Sequence, residues 1–251
     1  MQWVLTADEF THVWHNETGR DRRPHPIDLT PRGTAGSERA RTALALDDRF
    51  PTNGDPDLTA TIRFLARSDV TRITACGDEL GGIGNPAGDQ PNRHLAVAVA
   101  YGAWGAVLYS GPGQLTVHAC HARSIGRYLV TAIRSGSSAP PNERRRVPAG
   151  STPELRESRD TVLAPPTWIP TGSRGPAEQM RRSLRRPLDA RGLLTVTMAP
   201  DDPMSPPPAH RTWLDITGDG RYLLNTGSDL VLTPIDEPGL ATELLRLAGI
   251  S

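Results

Sequence analysis

Lysine is absent from this 251-residue chain, and all 28 of its basic side chains are arginines. They are balanced by 28 aspartates and glutamates, so the formal net charge is zero. Proteins that bind nucleic acid without sequence preference carry a clear excess of positive charge, usually gathered in one patch. We therefore expect no nucleic-acid partner for this chain.

Long apolar runs are missing as well. No stretch approaches the roughly 18 apolar residues of a membrane-spanning helix, and the first residues follow an amphipathic pattern in place of a signal peptide. These features predict a cytoplasmic protein without a membrane span.

Cysteine occurs only at Cys76 and Cys120. In a reducing cytoplasm we expect both thiols to be free, and a disulfide between them is the less favoured alternative.

Familiar catalytic motifs are also lacking, since there is no P-loop, no Gly-x-Ser-x-Gly elbow and no His-Glu-x-x-His pair. His118, Cys120 and His121 form the densest group of metal-ligating residue types. On a strand, however, His118 and His121 would face opposite sides, and no second ligand pair lies at zinc-site spacing. Asp202 lies in a proline-rich segment, where a carboxylate is more often a turn residue than a catalyst. We predict no catalytic residue, no metal and no cofactor.

A glycine-rich segment runs from Gly77 to Pro91 between two predicted strands. Glycines suit a nucleotide-binding loop when a helix begins directly after them, because the helix N-terminus holds the phosphate. Here a strand over residues 95–101 follows, so we predict a long β-hairpin loop. The loop contains the apolar residues Leu80 and Ile83, which makes it a candidate for binding another molecule.

The most informative feature that is present is a duplicated unit. Ala103–Ile133 and Asp219–Ala248 each show two short strands, a glycine-containing turn and an amphipathic helix. A unit that occurs only twice predicts two related halves and not a solenoid. The aligned pairs are Gly105 with Gly220, Leu108 with Leu223, Leu115 with Leu230, Val117 with Leu232, Ile125 with Leu240 and Leu129 with Leu244.

These patterns predict an α+β fold, with antiparallel β-sheets and flanking helices in two halves related by a pseudo-twofold axis. We expect the whole chain, 1–251, to be a single domain with halves at 1–134 and 171–251. The segment 135–170 between them is rich in Ser, Pro and Arg and is predicted to be a linker.

Side-chain signals mark several helix starts. Thr6 and Glu9 have the spacing of a capping box after a predicted first strand. Asp55 and Pro56 fit the cap and the first position of another helix. A helix predicted in the second half has a basic face, which we interpret as solvent-exposed in preference to a docking surface for an acidic partner. This face consists of Arg181, Arg182, Arg185 and Arg186.

Four motifs are spread over the chain. It opens with Trp-x-Leu-x-x-x-Glu-Phe at residues 3–10 and continues with Pro-His-Pro-Ile at 24–27. It then reaches Leu-Val at 129–130 and Gly-Asp-Gly-Arg-Tyr-Leu-Leu at 218–224. Together these motifs resemble the EspG family, the cytosolic chaperones of actinobacterial type VII (ESX) secretion systems. The strongest match is the last motif, which is similar to the Gly-x-Gly-Arg-Tyr-Leu strand of that family.

The resemblance implies an EspG-like α+β domain that binds protein and is not an enzyme. EspG proteins bind the hydrophobic tip of a helical PE–PPE substrate pair and keep it soluble until export. The implied partner is thus a PE–PPE-like or other helical-hairpin type VII secretion substrate. In the family, the loop between the second and third strands contributes to the contact. The corresponding residues here are Glu79, Leu80, Gly82, Ile83 and Asn85.

Two further hypotheses remain open at this point. The chain could also associate with itself as a homodimer. The alternative function is that of a small-molecule-binding protein or a hydrolase built on the same duplicated fold. His118, His121 and Asp202 would then be the candidate residues.

Overall fold

The computed structural model describes residues 1–28, 44–80, 93–133, 145–148, 176–199, 201–226 and 229–250. Within these residues, one ten-stranded antiparallel sheet carries helices on both faces, so the predicted α+β class is confirmed. The strands are β1 (Gln2–Thr6), β2 (Thr71–Glu79), β3 (Arg93–Tyr101), β4 (Trp104–Gly111), β5 (Gln114–His121), β6 (Arg145–Pro148), β7 (Leu188–Thr197), β8 (Ala209–Ile216), β9 (Gly220–Thr226) and β10 (Asp229–Pro234). The α-helices are α1 (Ala7–Thr18), α2 (Leu46–Arg49), α3 (Pro56–Leu65), α4 (Ile125–Ala132), α5 (Pro176–Leu184) and α6 (Glu237–Leu247).

The sheet is continuous across the two halves of the chain. Its strand order is β1-β5-β4-β3-β2-β7-β8-β9-β10-β6. β2 and β7 pair at the centre, from Arg72 opposite Thr197 to Glu79 opposite Ala190. The β2–β3 connection therefore leaves one end of the sheet, which we call the loop end. The β3–β4 turn leaves the other, which we call the turn end.

Helices cover the two faces of the sheet differently. α4 and α6 pack against each other on one face, called the front here, where Ile125 and Leu244 are fully buried. α1 and α3 cover the first half of the opposite, back face and bury Phe10 and Ile62. α5 covers the second half of the back face through Met180. Alternate residues of β3 point into the front and back cores, as strand geometry requires.

The predicted helix caps are confirmed. The Thr6 hydroxyl accepts the Glu9 N–H at 3.2 Å, and the Glu9 carboxylate accepts the Thr6 N–H at 2.9 Å, which completes a capping box at α1. At α3, the Asp55 carboxylate accepts the N–H groups of Asp57 and Leu58 at 3.0 and 3.1 Å. Each cap satisfies backbone donors that have no partner inside the helix.

The central strands extend further than the sequence pattern predicts. The expected loop begins at Gly77, whereas β2 continues to Glu79 and pairs Gly77 with Gly192 of β7. The two glycines leave room for the fully buried indole of Trp213 on the front face, and a Cβ on either glycine would overlap that ring. Close packing against Trp213, and not a turn, therefore explains both glycines.

The aligned register of the two hairpins needs a correction. In the first hairpin Val107 pairs with His118, and in the second hairpin Leu223 pairs with Thr233. The chain between the paired residues is one residue shorter in the second hairpin. Val107 and Leu223 both lie in the front core, whereas Leu108 points into the back core. The first strand of the alignment is therefore wrong by one residue, at the pairs Gly105–Gly220 and Leu108–Leu223. The other pairs keep both partners on one face, namely Leu115–Leu230, Val117–Leu232, Ile125–Leu240 and Leu129–Leu244.

Part of the predicted linker belongs to the sheet. Arg145–Pro148 forms β6, which pairs antiparallel with β10 as an edge strand. Its Arg- and Pro-containing pattern does not predict a strand, and the remainder of 135–170 lies outside the described residues. The single-domain assignment and the pseudo-twofold relation of the halves stay predictions.

Candidate protein-binding surface

The described helices leave the back face open along its central strands. α1 and α3 pack over β3, β4 and β5, and α5 packs over β8, β9 and β10. On β7, between these two layers, Leu193 is 46% exposed. Leu80, directly after β2, is 39% exposed. The alternation of side chains along paired strands puts both leucines on the back face. We call this region the open strip.

The start of the β2–β3 connection is held to the sheet. The Leu80 N–H donates to the carbonyl oxygen of Asp189 at 2.8 Å, which continues the ladder with the β7 segment. The Asp78 carboxylate and the Arg93 guanidinium lie opposite each other on β2 and β3 and form an ion pair at 3.8 Å. The backbone of Leu80 is therefore held in place at the loop end.

The structure describes two of the five residues that the resemblance assigns to the binding loop. Glu79 and Leu80 are both exposed at the loop end, but strand alternation directs Leu80 to the back face and Glu79 to the front. Gly82, Ile83 and Asn85 lie outside the described residues. Leu193 was not predicted as a binding residue, because the sequence does not show which of the consecutive residues Leu193 and Leu194 is buried.

Three ionisable side chains are buried on the front face behind the loop end. The Arg221 guanidinium donates to the two oxygens of Asp215 at 2.7 and 2.9 Å, and also to the carbonyl oxygen of Ile133 at 2.8 Å. Burial lowers the pKa of the nearby His94, and the negative charge of Glu79 partly opposes this shift. The paired charges tie the second half of the sheet to the end of α4, which is a structural role.

The densest group of metal-ligating residue types is dispersed by the fold. His118 lies on the front face and stacks with Tyr109 and Tyr128, with ring centroids 5.7 and 4.2 Å apart. His121 points from the back face, where its Nδ1 accepts a backbone N–H at 3.2 Å. Burial raises the pKa of the Cys120 thiol to about 11, so this thiol stays protonated at neutral pH. Across the described ranges, no three metal-ligating side chains come together.

The other reactive candidates are also separated. The Asp202 carboxylate accepts the Met204 N–H at 2.9 Å in the segment after β7, at the turn end of the sheet. Cys76 contacts the back core and Cys120 the front core, so the two thiols are free, as expected. Cys76 lies opposite Leu193 at the open strip, whereas Cys120 and Asp202 lie elsewhere.

A cavity of about 270 Å³ lies on the back face between β1, α1, α3 and the preceding turn. This volume is slightly below the range of about 300–1,000 Å³ that is usual for small-molecule sites. Its carboxylates already have protein partners. Asp55 accepts the Trp3 indole N–H at 2.8 Å, and Glu17 accepts from Arg63 and from the backbone of Asn53 at 3.1 and 2.7 Å. These paired groups do not favour the alternative of a ligand-binding protein or a hydrolase.

Comparison with known proteins decides the family. The model of the EspG family matches residues 6–246. The chain belongs to the EspG family. This membership confirms the resemblance that the sequence motifs indicate. No curated protein matches the chain.

The EspG fold also appears among the solved structures that resemble this one. The Mycobacterium tuberculosis type VII secretion system chaperone EspG5, solved in complex with the PE25–PPE41 dimer, matches with a TM-score of 0.61. The alignment covers 98% of this chain and 95% of the EspG5 chain at 16% sequence identity, so the likeness is one of fold. In the part of this EspG-family chain that the structure describes, no helix is long and apolar enough to cross a membrane.

Proposed function

We propose that this EspG-family chain is a cytosolic chaperone of a type VII secretion system. It binds the hydrophobic tip of a helical PE–PPE-like pair, or of another helical-hairpin substrate, keeps it soluble until export, and catalyses no reaction. The observation that carries the proposal is the family match over residues 6–246. The fold shared with EspG5, which was solved with the PE25–PPE41 dimer, supports it further.

The open strip offers a physical basis for this binding. Leu80 and Leu193 are large apolar side chains on one sheet face, and they are 39% and 46% exposed. Fully burying an exposed leucine side chain is worth about 1.5–3 kcal/mol, so covering each of these half-exposed leucines contributes part of that amount. Exposed apolar surface of this kind is typical of protein-binding sites. In this proposal, the β2–β3 loop, with Glu79, Leu80, Gly82, Ile83 and Asn85, contributes the remaining contacts.

Co-expression tests the proposal directly. Affinity-tagged chain is produced together with each PE–PPE-like or helical-hairpin pair encoded in its own genome. Size-exclusion chromatography with light scattering then gives the composition of the purified species. We expect one copy of the chain to carry one substrate pair and to keep that pair in the soluble fraction. Failure to retain any of these pairs would contradict the proposal, and the same measurement determines whether the unbound chain is a homodimer.

Substitutions locate the binding surface. Leu80→Asp and Leu193→Asp each place a charge in the proposed apolar contact, so we expect both to weaken retention of the pair. Met204→Asp is the matched control, because Met204 is 87% exposed but lies at the turn end of the sheet. If all three variants retained the substrate pair equally, the binding site would have to lie outside the open strip.

A further inference from the structure

We infer that the substrate tip is acidic around its apolar centre and that three arginines, Arg182, Arg185 and Arg191, bind its carboxylates. This inference rests on the proposed function and specifies the chemistry of the partner at the same surface. It reverses the interpretation of the basic helix face as one that serves only to contact solvent.

The three arginines contrast with eight other arginines of the described structure. Each is exposed, and none forms an ion pair with a described carboxylate. Arg191 lies directly across from Asp78, but that carboxylate pairs with Arg93. Ion pairs with Asp or Glu engage Arg49, Arg63, Arg67, Arg93, Arg186, Arg211, Arg221 and Arg246.

Arg191 projects from the strand that carries the open strip, and Arg182 and Arg185 lie at the end of α5, which leads into that strand. α5 ends at Leu184, which is 37% exposed, and Arg185 follows immediately. The chain then enters β7 at the loop end, where the Asp189 carbonyl accepts the Leu80 N–H. Arg191 is two residues before Leu193 on the same strand and therefore projects from the same face. Exposed leucines and arginines without acidic partners thus occupy one end of one face.

The charge balance of the chain strengthens this argument. The net charge is zero, so a local set of arginines without acidic partners is not part of a general positive excess. The planar guanidinium group matches a carboxylate with two parallel hydrogen bonds. Complementary charges at the rim of an apolar contact speed association and select the partner. A tip with leucine-like side chains at its centre and Asp or Glu around it is therefore complementary to this surface.

A matched pair of charge-reversal variants tests the inference on the substrate pair that co-purifies with the wild-type chain. Arg185→Glu with Arg191→Glu should weaken binding about ten-fold or more in about 0.05 M salt, and much less in about 0.5 M salt, because salt screens exposed charges. The control is Arg20→Glu with Arg22→Glu, which changes the net charge equally. Arg20 is exposed at the turn end, beside Arg72. This control should bind like the wild type.

A double-mutant cycle identifies the partner residues. Asp and Glu residues at the tip of the captured pair are replaced by Asn and Gln, alone and together with the Arg185 and Arg191 reversals. We expect effects that are clearly less than additive for at least one acid. Binding that is insensitive to both arginines and to salt would overturn this inference and leave the chaperone function standing. Absence of any captured pair would instead overturn the proposed function, and this inference with it.

Discussion

At the scale of single residues, we expect the buried pair of Asp215 and Arg221 to be important for stability. Both side chains are almost fully enclosed, at 0% and 5% exposure, and they are joined by two hydrogen bonds. Removing one partner of such a pair leaves an uncompensated buried charge, which costs about 3–5 kcal/mol. We expect Asp215→Asn to lower the free energy of unfolding in urea by about 3 kcal/mol.

The control for this prediction is Glu243→Gln at a partly exposed ion-pair site. Glu243 is 23% exposed and pairs with Arg246 and Arg211, whose side chains are 64% and 20% exposed. Water screens these charges more than at Asp215, so the loss should be no more than about 1 kcal/mol. Similar losses in the two variants would show that burial does not set the importance of the Asp215–Arg221 pair.

The motif at residues 218–224 draws attention to Arg221, but the sequence pattern cannot show that this side chain is buried. The second partner residue of the guanidinium is Ile133, whose carbonyl oxygen accepts a hydrogen bond and which lies 88 residues away in the sequence.

At the scale of secondary structure elements, α4 and α6 approach each other so closely that there is no room for a side chain at position 126. Gly126 of α4 faces the backbone of α6, where an added Cβ would lie 2.5 Å from the carbonyl oxygen of Ala241. Alanine favours an isolated helix over glycine by about 1 kcal/mol. We nevertheless expect Gly126→Ala to lower the free energy of unfolding by about 1–3 kcal/mol, because overpacking must separate the two helices. Thr131→Ala, on the exposed side of α4, is the control and should change stability by less than about 0.5 kcal/mol. A stabilised Gly126→Ala variant would contradict the packing argument.

The secondary structure elements also show which features of the fold the sequence pattern can predict. The starts of α1 and α3 are predictable because Thr6, Glu9 and Asp55 act within one helical turn. β7 runs through Gly192, although a glycine resembles a strand breaker until Trp213 is known to occupy the space above it. The open strip follows from where the helices of both halves stop, which a local pattern does not encode. Leu80 and Ile83 stand out in the sequence as apolar loop residues, the full set of loop residues came from the family resemblance, and Leu193 came only from the structure.

At the scale of the whole molecule, the continuous sheet predicts that the two halves do not separate. The β2–β7 ladder and the α4–α6 contact join them without using residues 150–175. Separating the halves would expose two central strand edges and the front core. A site for a sequence-specific protease, introduced between residues 150 and 175, therefore provides a test of the single-domain prediction. After cleavage, we expect both fragments to elute together as one particle of about the intact 27.1 kDa mass.

The same cleaved protein distinguishes a shared core from a loose association of two domains. The Gly192→Ala change forces the Trp213 ring away from the β2–β7 junction, so the cleaved variant should dissociate at a lower urea concentration than the cleaved wild type. Two stable domains would instead separate after cleavage in the wild type, and each would unfold with its own transition. One shared transition would mean that the open strip, which is built from β2 of the first half and β7 of the second, exists only when both halves are folded together. Substrate binding should then be lost in the same step as the fold.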